Sequence, residues 1–516
     1  MTTQALRENA VLEPLLERLW TADQARAADA YTIDVGVPGL VLMEHAGRAV
    51  ADIVARGQPR SALVIAGPGN NGGDGWVAAR HLWGRGIPCP VVTLVAPDAL
   101  GGDAHTSARL FLAAARAQGF NSAVLGAPYR VLEVADDIDW LLGALRPDVV
   151  IDALFGTGLR RALEGTPRAV VERLANFAGP IVSIDVPSGL PTDGAAPSGP
   201  CVRATTTVTF QRRKIAHACE PGRGTCGEVH VIDIGLLTPP TGNHPPVHRL
   251  QDARGLLPRV DVDAHKGRFG HVAVLAGVST GAARLAGRAA LRAGVGLVTI
   301  LADAVPIGIE AELMVRGLDD SALTGVFAAS GALVIGPGLG MARVDAARRL
   351  LEGAARARVP CVVDAEAIDA LAPLRIAGLV AVITPHPGEA GRGLGVTSAQ
   401  VQQDRIAAAR ALKQRFGPGI IIVLKGSTPV VIGDDDVVIL VEGGAPALAV
   451  AGSGDVLAGV IGGLLARGMT PMHAALAGVQ AHQRAGQALG AVSLRGHLAS
   501  DIADAIVGAL QIHAPL

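Results

Sequence analysis

The stretch ALVIAGPGNNGGDG, residues 62–75, places a glycine-rich turn between an apolar run and a helix-like segment. A second such turn, Gly452-Ser453-Gly454-Asp455, opens an Ala/Val/Leu-rich helix near the other end of the chain. Bare backbone amides at a helix N-terminus favour an anion such as phosphate. Each turn also contains an aspartate, which costs energy beside a phosphate unless it does chemistry or holds a cation. The two turns therefore predict two active sites that share a nucleotide-bearing ligand.

The composition predicts two large domains. The chain has 516 residues, of which 50% are hydrophobic and 3% aromatic, so Ala, Val, Leu and Ile must build more than one core. The net charge of −1 argues against a nucleic-acid partner, which needs a basic surface. The sequence has no run of ~18 uncharged apolar residues, so we predict no membrane span. The first residues do not resemble a signal peptide. Scattered cysteines without CxxC spacing favour a reducing cytoplasm over a zinc site or a disulfide framework.

A proline-rich segment divides the chain. Residues 236–250 carry four prolines, which resist helix formation, so we predict domains over 1–239 and 249–516 joined by a linker at 240–248. Each half alternates short β-branched runs with Ala-rich helices, a rhythm typical of βαβ units and parallel sheets. The predicted strands are 62–66, 91–95, 149–151, 181–184, 271–275, 297–301, 332–335, 361–363, 380–383 and 420–424, followed by a hairpin of 430–432 and 437–441.

Polar residues follow the ends of several predicted strands: Asp152, Asp185, Asp364, His386 and Lys425. Ligands of open α/β sheets bind beyond the carboxyl ends of the strands, so this placement indicates a site. Any single aspartate could instead be a helix N-cap. The five together favour the site.

Two further motifs in the first half supply oxygen ligands. DALFGTGL, residues 152–159, and SIDVPSG, residues 183–189, each follow a predicted strand. Asn71, Asp152 and Ser188 then offer an amide oxygen, a carboxylate and a hydroxyl, which suit an alkali or alkaline-earth cation and not zinc.

These motifs, together with VPGLVLMEHAG at 37–47, resemble those of the NAD(P)H-hydrate epimerase family over Trp20–Leu237. His45 departs from the family, which usually has Asn there. The resemblance implies a K⁺ site at Asn71, Asp152 and Ser188. It also implies substrate binding by Asn70, Asn71, Gly72, Gly73, Asp74, Gly156, Thr157, Gly158, Leu159, Arg160, Arg161, Ala162 and Asp185. A hydrated nicotinamide is a hemiaminal whose inversion needs an acid/base group; we assign this catalytic role to Asp185, with Asp74 as the second choice.

The second half carries its own set of motifs: HKGRFG at 265–270, GPGLG at 336–340, TPHPGE at 384–389, LKGST at 424–428 and GSGDVLAG at 452–459. Apolar residues at helical spacing after Gly454 predict a helix with one buried face. Asp455 and the loop amides lie together at the N-terminus of this predicted helix. There Asp455 can take a proton from a hydroxyl while the amides hold a transferring phosphoryl group.

This arrangement looks like the ribokinase-like fold, and the motifs resemble those of the ADP- or ATP-dependent NAD(P)H-hydrate dehydratase family over 249–509. The chain departs from that family at 443–448, where relatives usually have Asn-Pro-Gly-Met. The resemblance implies that the hydrate contacts Ala282, Gly338, His386 and the catalytic Asp455. It implies that the nucleotide, arriving with Mg²⁺, contacts Lys425, Gly426, Ser427, Thr428, Pro429 and Gly454. The expected fold class is thus α/β, with an N-terminal Rossmann-like three-layer α/β/α domain and a C-terminal ribokinase-like α/β domain.

The leading hypothesis is a bifunctional repair enzyme. One domain interconverts the R and S hydrates of NADH or NADPH, and the other dehydrates the S form at the expense of ADP or ATP, giving AMP or ADP and phosphate. We expect a cytoplasmic homo-oligomer, a tetramer or higher. Two alternatives stay open: a ribokinase-class small-molecule kinase fused to a nucleotide-binding regulatory domain, and a first half that only binds. The preferences between ADP and ATP, and between NADH and NADPH hydrates, also stay open.

Overall fold

The chain divides into two units, Arg18–His244 and Met1–Glu17 with Pro245–Leu516. The computed structural model describes residues 10–119, 125–132, 137–159, 161–239, 246–260, 263–318, 328, 331–371 and 376–511. The division differs from the predicted domains, because the N-terminal segment belongs with the second unit. Leu12, Leu15 and Leu16 pack in the second unit's core, and the Leu15 carbonyl accepts from the Gln251 amide at 2.9 Å.

Strands and helices alternate along most of the chain. The strands are β1 (Leu16–Leu19), β2 (Ala62–Ala66), β3 (Val91–Thr93), β4 (Tyr129–Val131), β5 (Val149–Ala153), β6 (Ile181–Ile184), β7 (Thr206–Phe210), β8 (Glu228–Ile232), β9 (Val247–Leu250), β10 (His271–Leu275), β11 (Leu297–Leu301), β12 (Met314–Arg316), β13 (Ala332–Ile335), β14 (Cys361–Val363), β15 (Ala381–Ile383), β16 (Ile420–Leu424), β17 (Val430–Ile432) and β18 (Val438–Leu440). The helices are α1 (Ala22–Asp34), α2 (Gly39–Arg56), α3 (Asn70–Trp83), α4 (Gly102–Ala117), α5 (Asp137–Leu145), α6 (Gly165–Leu174), α7 (Arg223–Cys226), α8 (Thr280–Arg292), α9 (Val344–Ala357), α10 (Glu366–Leu371), α11 (Pro387–Leu394), α12 (Ser398–Gln403), α13 (Arg405–Phe416), α14 (Ser453–Ala466), α15 (Pro471–Val492) and α16 (Ala499–Leu510).

The unit Arg18–His244 is built on a seven-stranded sheet with the order β4-β3-β2-β5-β6-β7-β8. All its strand pairs are parallel. Every residue of β2 and β5 is buried, as expected for central strands that are covered on both faces. The strand order reverses between β2 and β5, where Rossmann-like sheets bind their ligands. The α/β, Rossmann-like prediction is confirmed for this unit.

The glycine-rich turn lies at this switch point. A Cβ atom at Gly67 would lie 1.9 Å from the Leu154 carbonyl oxygen, so the turns that follow β2 and β5 touch backbone to backbone. Helix α3 begins at Asn70, and its N-cap Gly69 provides no side-chain cap. The first amides of α3 are therefore left for a ligand.

The second unit contains an eleven-stranded sheet with the order β1-β9-β18-β17-β16-β15-β14-β13-β10-β11-β12. Strands β10 to β16 are parallel, and β17 is antiparallel to both of its neighbours. Helix α14 buries the predicted apolar stripe, but Ala458, Gly459, Gly462 and Gly463 are buried as well. The expectation of one buried face is therefore wrong, because small residues let neighbouring helices approach α14 from other sides.

The predicted linker is partly a strand. Residues 247–250 form β9, which pairs in parallel with β18, whereas 240–245 lie outside the described residues. The predicted strands are all present, with ends shifted by up to two residues. The prediction missed β1, β4, β7, β8, β9 and β12. Within the described ranges, no helix has the length and apolar character needed to cross a membrane.

Candidate active sites

A cavity of about 480 Å³ opens at the switch point of the first unit. The predicted site residues that line it are Asn70, Asn71, Asp74, Gly156, Thr157, Gly158, Leu159 and Asp185. Gly72 and Gly73 are buried in the first turn of α3. Arg161 and Ala162 are not among the lining residues, and Arg160 lies outside the described residues. His45 also stays off the cavity wall, with its Nδ1 atom 3.2 Å from the Ile234 carbonyl oxygen.

Asp185 forms a buried ion pair in this cavity. Its Oδ1 atom lies 2.6 Å from Lys214 Nζ and accepts from the Thr209 hydroxyl at 3.0 Å. Its Oδ2 atom, on the cavity side, accepts from the Thr157 amide at 3.2 Å. Burial opposes ionisation, but Lys214 outweighs it and lowers the pKa of Asp185. Asp185 is therefore a carboxylate at neutral pH.

Two other carboxyl groups in the same cavity behave in the opposite way. Burial, followed by the charge of Asp185, raises the pKa of Asp74 well above its usual range. Burial and Asp185 also raise the pKa of Asp29 to about 6. A proton donor and a proton acceptor therefore face one space, and this separation of pKa values is the usual mark of an acid/base pair.

Two of the predicted cation ligands, Asp152 and Ser188, are hydrogen-bonded to each other. Asp152 is fully buried and accepts from the Ser183 hydroxyl at 2.8 Å and from the Ser188 hydroxyl at 2.6 Å. Asn71 lies beside Gly156, where a Cβ atom would come within 2.8 Å of Asn71 Oδ1. The Asn71 Nδ2 atom is buried without a hydrogen-bond partner in the described part of the chain.

A cavity of about 800 Å³ lies in the second unit. The predicted residues that line it are His386, Lys425, Gly426, Ser427, Pro429, Gly454 and Asp455. Thr428 is buried behind this wall. Ala282 and Gly338 adjoin each other, since a Cβ atom at Gly338 would lie 3.0 Å from Ala282 Cβ, but neither lines this cavity.

Charged groups converge where the glycine turn meets β16. Lys425 Nζ lies 2.6 Å from Asp364 Oδ1 and 3.9 Å from Glu389 Oε2. A Cβ atom at Gly454 would lie 3.4 Å from Lys425 Nζ, so the turn packs directly on this pair. Burial, with the charge of Asp364, raises the pKa of the neighbouring Asp455 to about 6. Asp455 can therefore exchange a proton near neutral pH.

His386 is both a helix cap and a cavity-lining residue. Its Nδ1 atom accepts from the Gly388 amide at 2.9 Å and so caps helix α11, while the residue also lines the cavity. The site residues predicted from the sequence do not include His482. Its Nε2 atom lies 3.0 Å from the Ser453 hydroxyl in the glycine turn. A histidine in the middle of a helix carries no local signal for such a contact.

Two family models match the chain. The model described as YjeF-related protein N-terminus matches residues 39–216, and the model described as NAD(P)H-hydrate dehydratase matches residues 272–507. Among solved structures, the ADP/ATP-dependent NAD(P)H-hydrate dehydratase from Bacillus subtilis, co-crystallised with ATP and Mg²⁺, is 30% identical with a TM-score of 0.44, covering 50% of this chain and 94% of that chain.

Relatives match over nearly the whole length. The bifunctional NAD(P)H-hydrate repair enzyme Nnr of Moorella thermoacetica is 37% identical over 510 residues, which cover 91% of this chain and 92% of that protein. The enzyme of the same name from Escherichia coli is 35% identical over 515 residues, covering 97% and 95%. The chain belongs to the family of bifunctional NAD(P)H-hydrate repair enzymes.

Proposed function

We propose that the unit Arg18–His244 interconverts the R and S hydrates of NAD(P)H, and that the other unit dehydrates the S form with ADP or ATP. One observation carries the proposal: Asp185, paired with Lys214, and Asp74, whose pKa is raised by burial, line one cavity at a helix N-terminus. The cavity therefore contains acid/base groups and, at the helix N-terminus, amides that can bind a pyrophosphate. Membership of the repair-enzyme family supports the same activities.

The epimerisation needs a proton acceptor and a proton donor on the hemiaminal. The ring nitrogen can expel the hydroxyl group, or the ring can open when the hydroxyl proton is removed and the nitrogen is protonated. Asp185 Oδ2 is the acceptor in our proposal, because Oδ1 is engaged by Lys214. Asp74 is the donor. The first amides of α3, left without a side-chain cap, hold the pyrophosphate.

We propose K⁺ as the cation of the first site. The donor set fits, because buried Asp152 is satisfied by neutral hydroxyls and hard oxygens suit an alkali cation. Asp152, Ser188 and Asn71 would hold K⁺, whose charge would offset that of Asp152 and of the substrate phosphates. Asp152→Ala, or replacement of K⁺ by a large organic cation, should then weaken epimerisation. Inhibition of epimerisation by a divalent-metal chelator would contradict the assignment.

The dehydration needs a better leaving group than hydroxide. Phosphoryl transfer to the hydroxyl of the S hydrate turns it into a phosphate ester. The C–O bond then breaks, phosphate leaves with the electron pair, and the neighbouring ring carbon loses a proton as the dihydronicotinamide double bond forms. Asp455 takes the hydroxyl proton, and the loop 425–429 with Gly454 holds the nucleotide. Among the described residues, no three His, Cys, Asp or Glu side chains gather as a metal site. We propose that Mg²⁺ arrives on the nucleotide phosphates, as is usual for this ion.

The test follows the absorbance of reduced nicotinamide when the full chain meets mixed hydrates with ADP or ATP. Complete conversion, with one inorganic phosphate for each NAD(P)H, is expected. Asp185→Ala should leave the S hydrate reacting normally and slow the reaction sharply once S is consumed. A full-speed finish with this variant would exclude Asp185 as the acid/base group. A stable phosphate ester as the product would favour the kinase alternative and overturn the repair function.

We also propose that the enzyme acts in the cytoplasm as a homo-oligomer, a tetramer or higher. Exposed Val492, Leu494 and Leu498 on the second unit offer apolar surface for such contacts. Light scattering on the full chain measures the mass, and a monomer would contradict the proposal.

A further inference from the structure

A buried arginine lies directly behind the loop to which we assign the nucleotide. Arg405 begins helix α13 and is only 4% exposed. Its Nη2 atom lies 3.1 Å from the Leu424 carbonyl oxygen, 3.0 Å from that of Lys425 and 3.1 Å from that of Thr428. One guanidinium group thus donates hydrogen bonds to carbonyls at both ends of the loop 425–429.

This contact fixes the direction of a peptide bond at the cavity. In a trans peptide the C=O and N–H bonds point in opposite directions. Because the Lys425 carbonyl accepts from Arg405, the Gly426 N–H faces away from the guanidinium group, and Gly426 is one of the residues that line the cavity. Gly426 has φ +156°, and a Cβ atom there would lie 2.6 Å from Arg405 Nη2. The guanidinium group of Arg405 therefore occupies the space that a side chain at position 426 would need.

We propose that Arg405 is a positioning residue for the nucleotide: it holds the loop 425–429 so that the Gly426 amide and the Lys425 side chain meet the phosphates. The inference rests on the proposed nucleotide site of the second unit. Arg405 itself does not line the cavity and acts only through the loop. Preorganised amides bind a phosphate without the cost of ordering them at each turnover.

Helix α13 also supplies a matched control. Lys413 is 6% exposed and donates to the Gly417 carbonyl at 2.8 Å and to the Ile420 carbonyl at 2.7 Å. Lys413 therefore binds backbone carbonyls at the amino end of β16, as Arg405 binds them at the carboxyl end. Both cations anchor α13 to the same strand, but only Arg405 holds the nucleotide loop.

The experiment compares Arg405→Leu, Arg405→Lys and Lys413→Leu in the full chain. Arg405→Leu should raise the KM for ADP or ATP roughly tenfold or more, as expected when charge-assisted hydrogen bonds that order a site are lost. The KM for the S hydrate should stay within about twofold, because Arg405 does not line the cavity and we propose that it acts through the nucleotide loop. Arg405→Lys should give an intermediate KM for the nucleotide. Lys413→Leu should lower the melting temperature and leave the KM for the nucleotide within about twofold.

Four outcomes would overturn the inference. An unchanged KM for the nucleotide in folded Arg405→Leu and Arg405→Lys would exclude positioning. An equal rise in Lys413→Leu would reduce the effect to general destabilisation. If the wild-type chain itself neither binds nor uses ADP or ATP in calorimetry and turnover, the proposed nucleotide site fails and the inference fails with it. Binding by the wild type with equal binding by Arg405→Leu would remove the inference alone.

Discussion

Asp185 adopts a backbone conformation that residues other than glycine rarely occupy. Its φ is +65°, a left-handed conformation that costs free energy and persists where surrounding contacts enforce it. The Asp185 amide donates to the Val208 carbonyl at 2.8 Å, which ties this residue to the next strand of the sheet. The carboxylate is thereby brought to Lys214 and Thr209, and the backbone strain is located at the group to which we assign the proton transfer.

Removing Lys214 should shift the pH dependence of epimerisation. Lys214 lowers the pKa of Asp185, so Lys214→Met should raise that pKa and move the acid limb of the rate profile to higher pH. The rate at neutral pH should then fall, because less of Asp185 is ionised. Thr209→Val, which removes a neutral donor and keeps the ion pair, should cause a smaller shift. An acid limb that does not move in Lys214→Met would contradict the role of the pair.

The dehydration should depend on pH through Asp455. A base must be ionised, and the pKa of Asp455 is raised to about 6, so kcat/KM should rise with pH through about 6 and then level off. Asp364→Asn removes a negative neighbour and should move this limb to lower pH. Asp455→Asn should lower the rate by about 10²–10⁴-fold and leave epimerisation unchanged. If this limb of the pH profile persists in Asp455→Asn, it reports the titration of another group and not of Asp455.

The sequence predicts the carboxylates of these sites better than their partners. Asp185 and Asp455 stand in short motifs next to a strand end and a helix start, which is where α/β sites form. Lys214 stands in the basic run QRRK, which indicates an ordinary exposed face. Only the pairing of distant segments brings its ammonium group into the core, and a local pattern contains no information on such pairing.

Helix α14 shows how small residues set the packing of an element. A Cβ atom at Gly459 would lie 2.1 Å from the Ala286 carbonyl oxygen of α8, so Gly459→Ala must push the two helices apart. We expect a loss of roughly 1–3 kcal/mol of unfolding free energy, measured by denaturant unfolding. A Cβ atom at Gly508 in α16 would have no other atom within 4 Å. Gly508→Ala should stabilise by roughly 0.5–1 kcal/mol. Equal effects of the two changes would contradict this packing.

The strands that the sequence predicts are the buried apolar ones. Strand β2 reads ALVIA and β16 reads IIIVL, and all their residues are buried. The missed strands β7 and β8 read TTVTF and EVHVI, in which polar residues interrupt the apolar ones, so neither is a continuous apolar run. Strand β9 follows a run of prolines that indicates a linker, and it is a strand because β18 pairs with it.

At the scale of the whole molecule, the second unit is completed by the start of the chain. Arg249 in β9 forms ion pairs with Glu17 and with Glu442, the latter at 3.1 Å. Leu12 is 8% exposed in this core, more than 230 positions away along the sequence from β9. The proline-rich segment predicts where the chain leaves the first unit. It cannot predict that residues before the first unit return to the second, since that depends on nonlocal packing.

This arrangement predicts that damage to the N-terminal segment harms the dehydratase and spares the epimerase. Leu12→Ala removes a buried side chain from the second unit's core and should cost roughly 2–4 kcal/mol. Val11→Ala is the matched control, because Val11 is 51% exposed and its loss should be nearly neutral. The measurement is residual activity after heating the full chain: dehydration should be lost at a lower temperature in Leu12→Ala, and epimerisation at the wild-type temperature.

Fragments test the same division from the other direction. The fragment Arg18–His244 should fold and epimerise by itself, because it keeps its whole sheet and cavity. The fragment Pro245–Leu516 should melt at a lower temperature than the second unit of the full chain, because it lacks Leu12 and the Glu17 partner of Arg249. Joining residues 1–17 to its N-terminus through a flexible linker should restore stability. If the bare fragment is as stable as the joined one, the N-terminal segment contributes nothing and the boundary belongs where the prolines predict it.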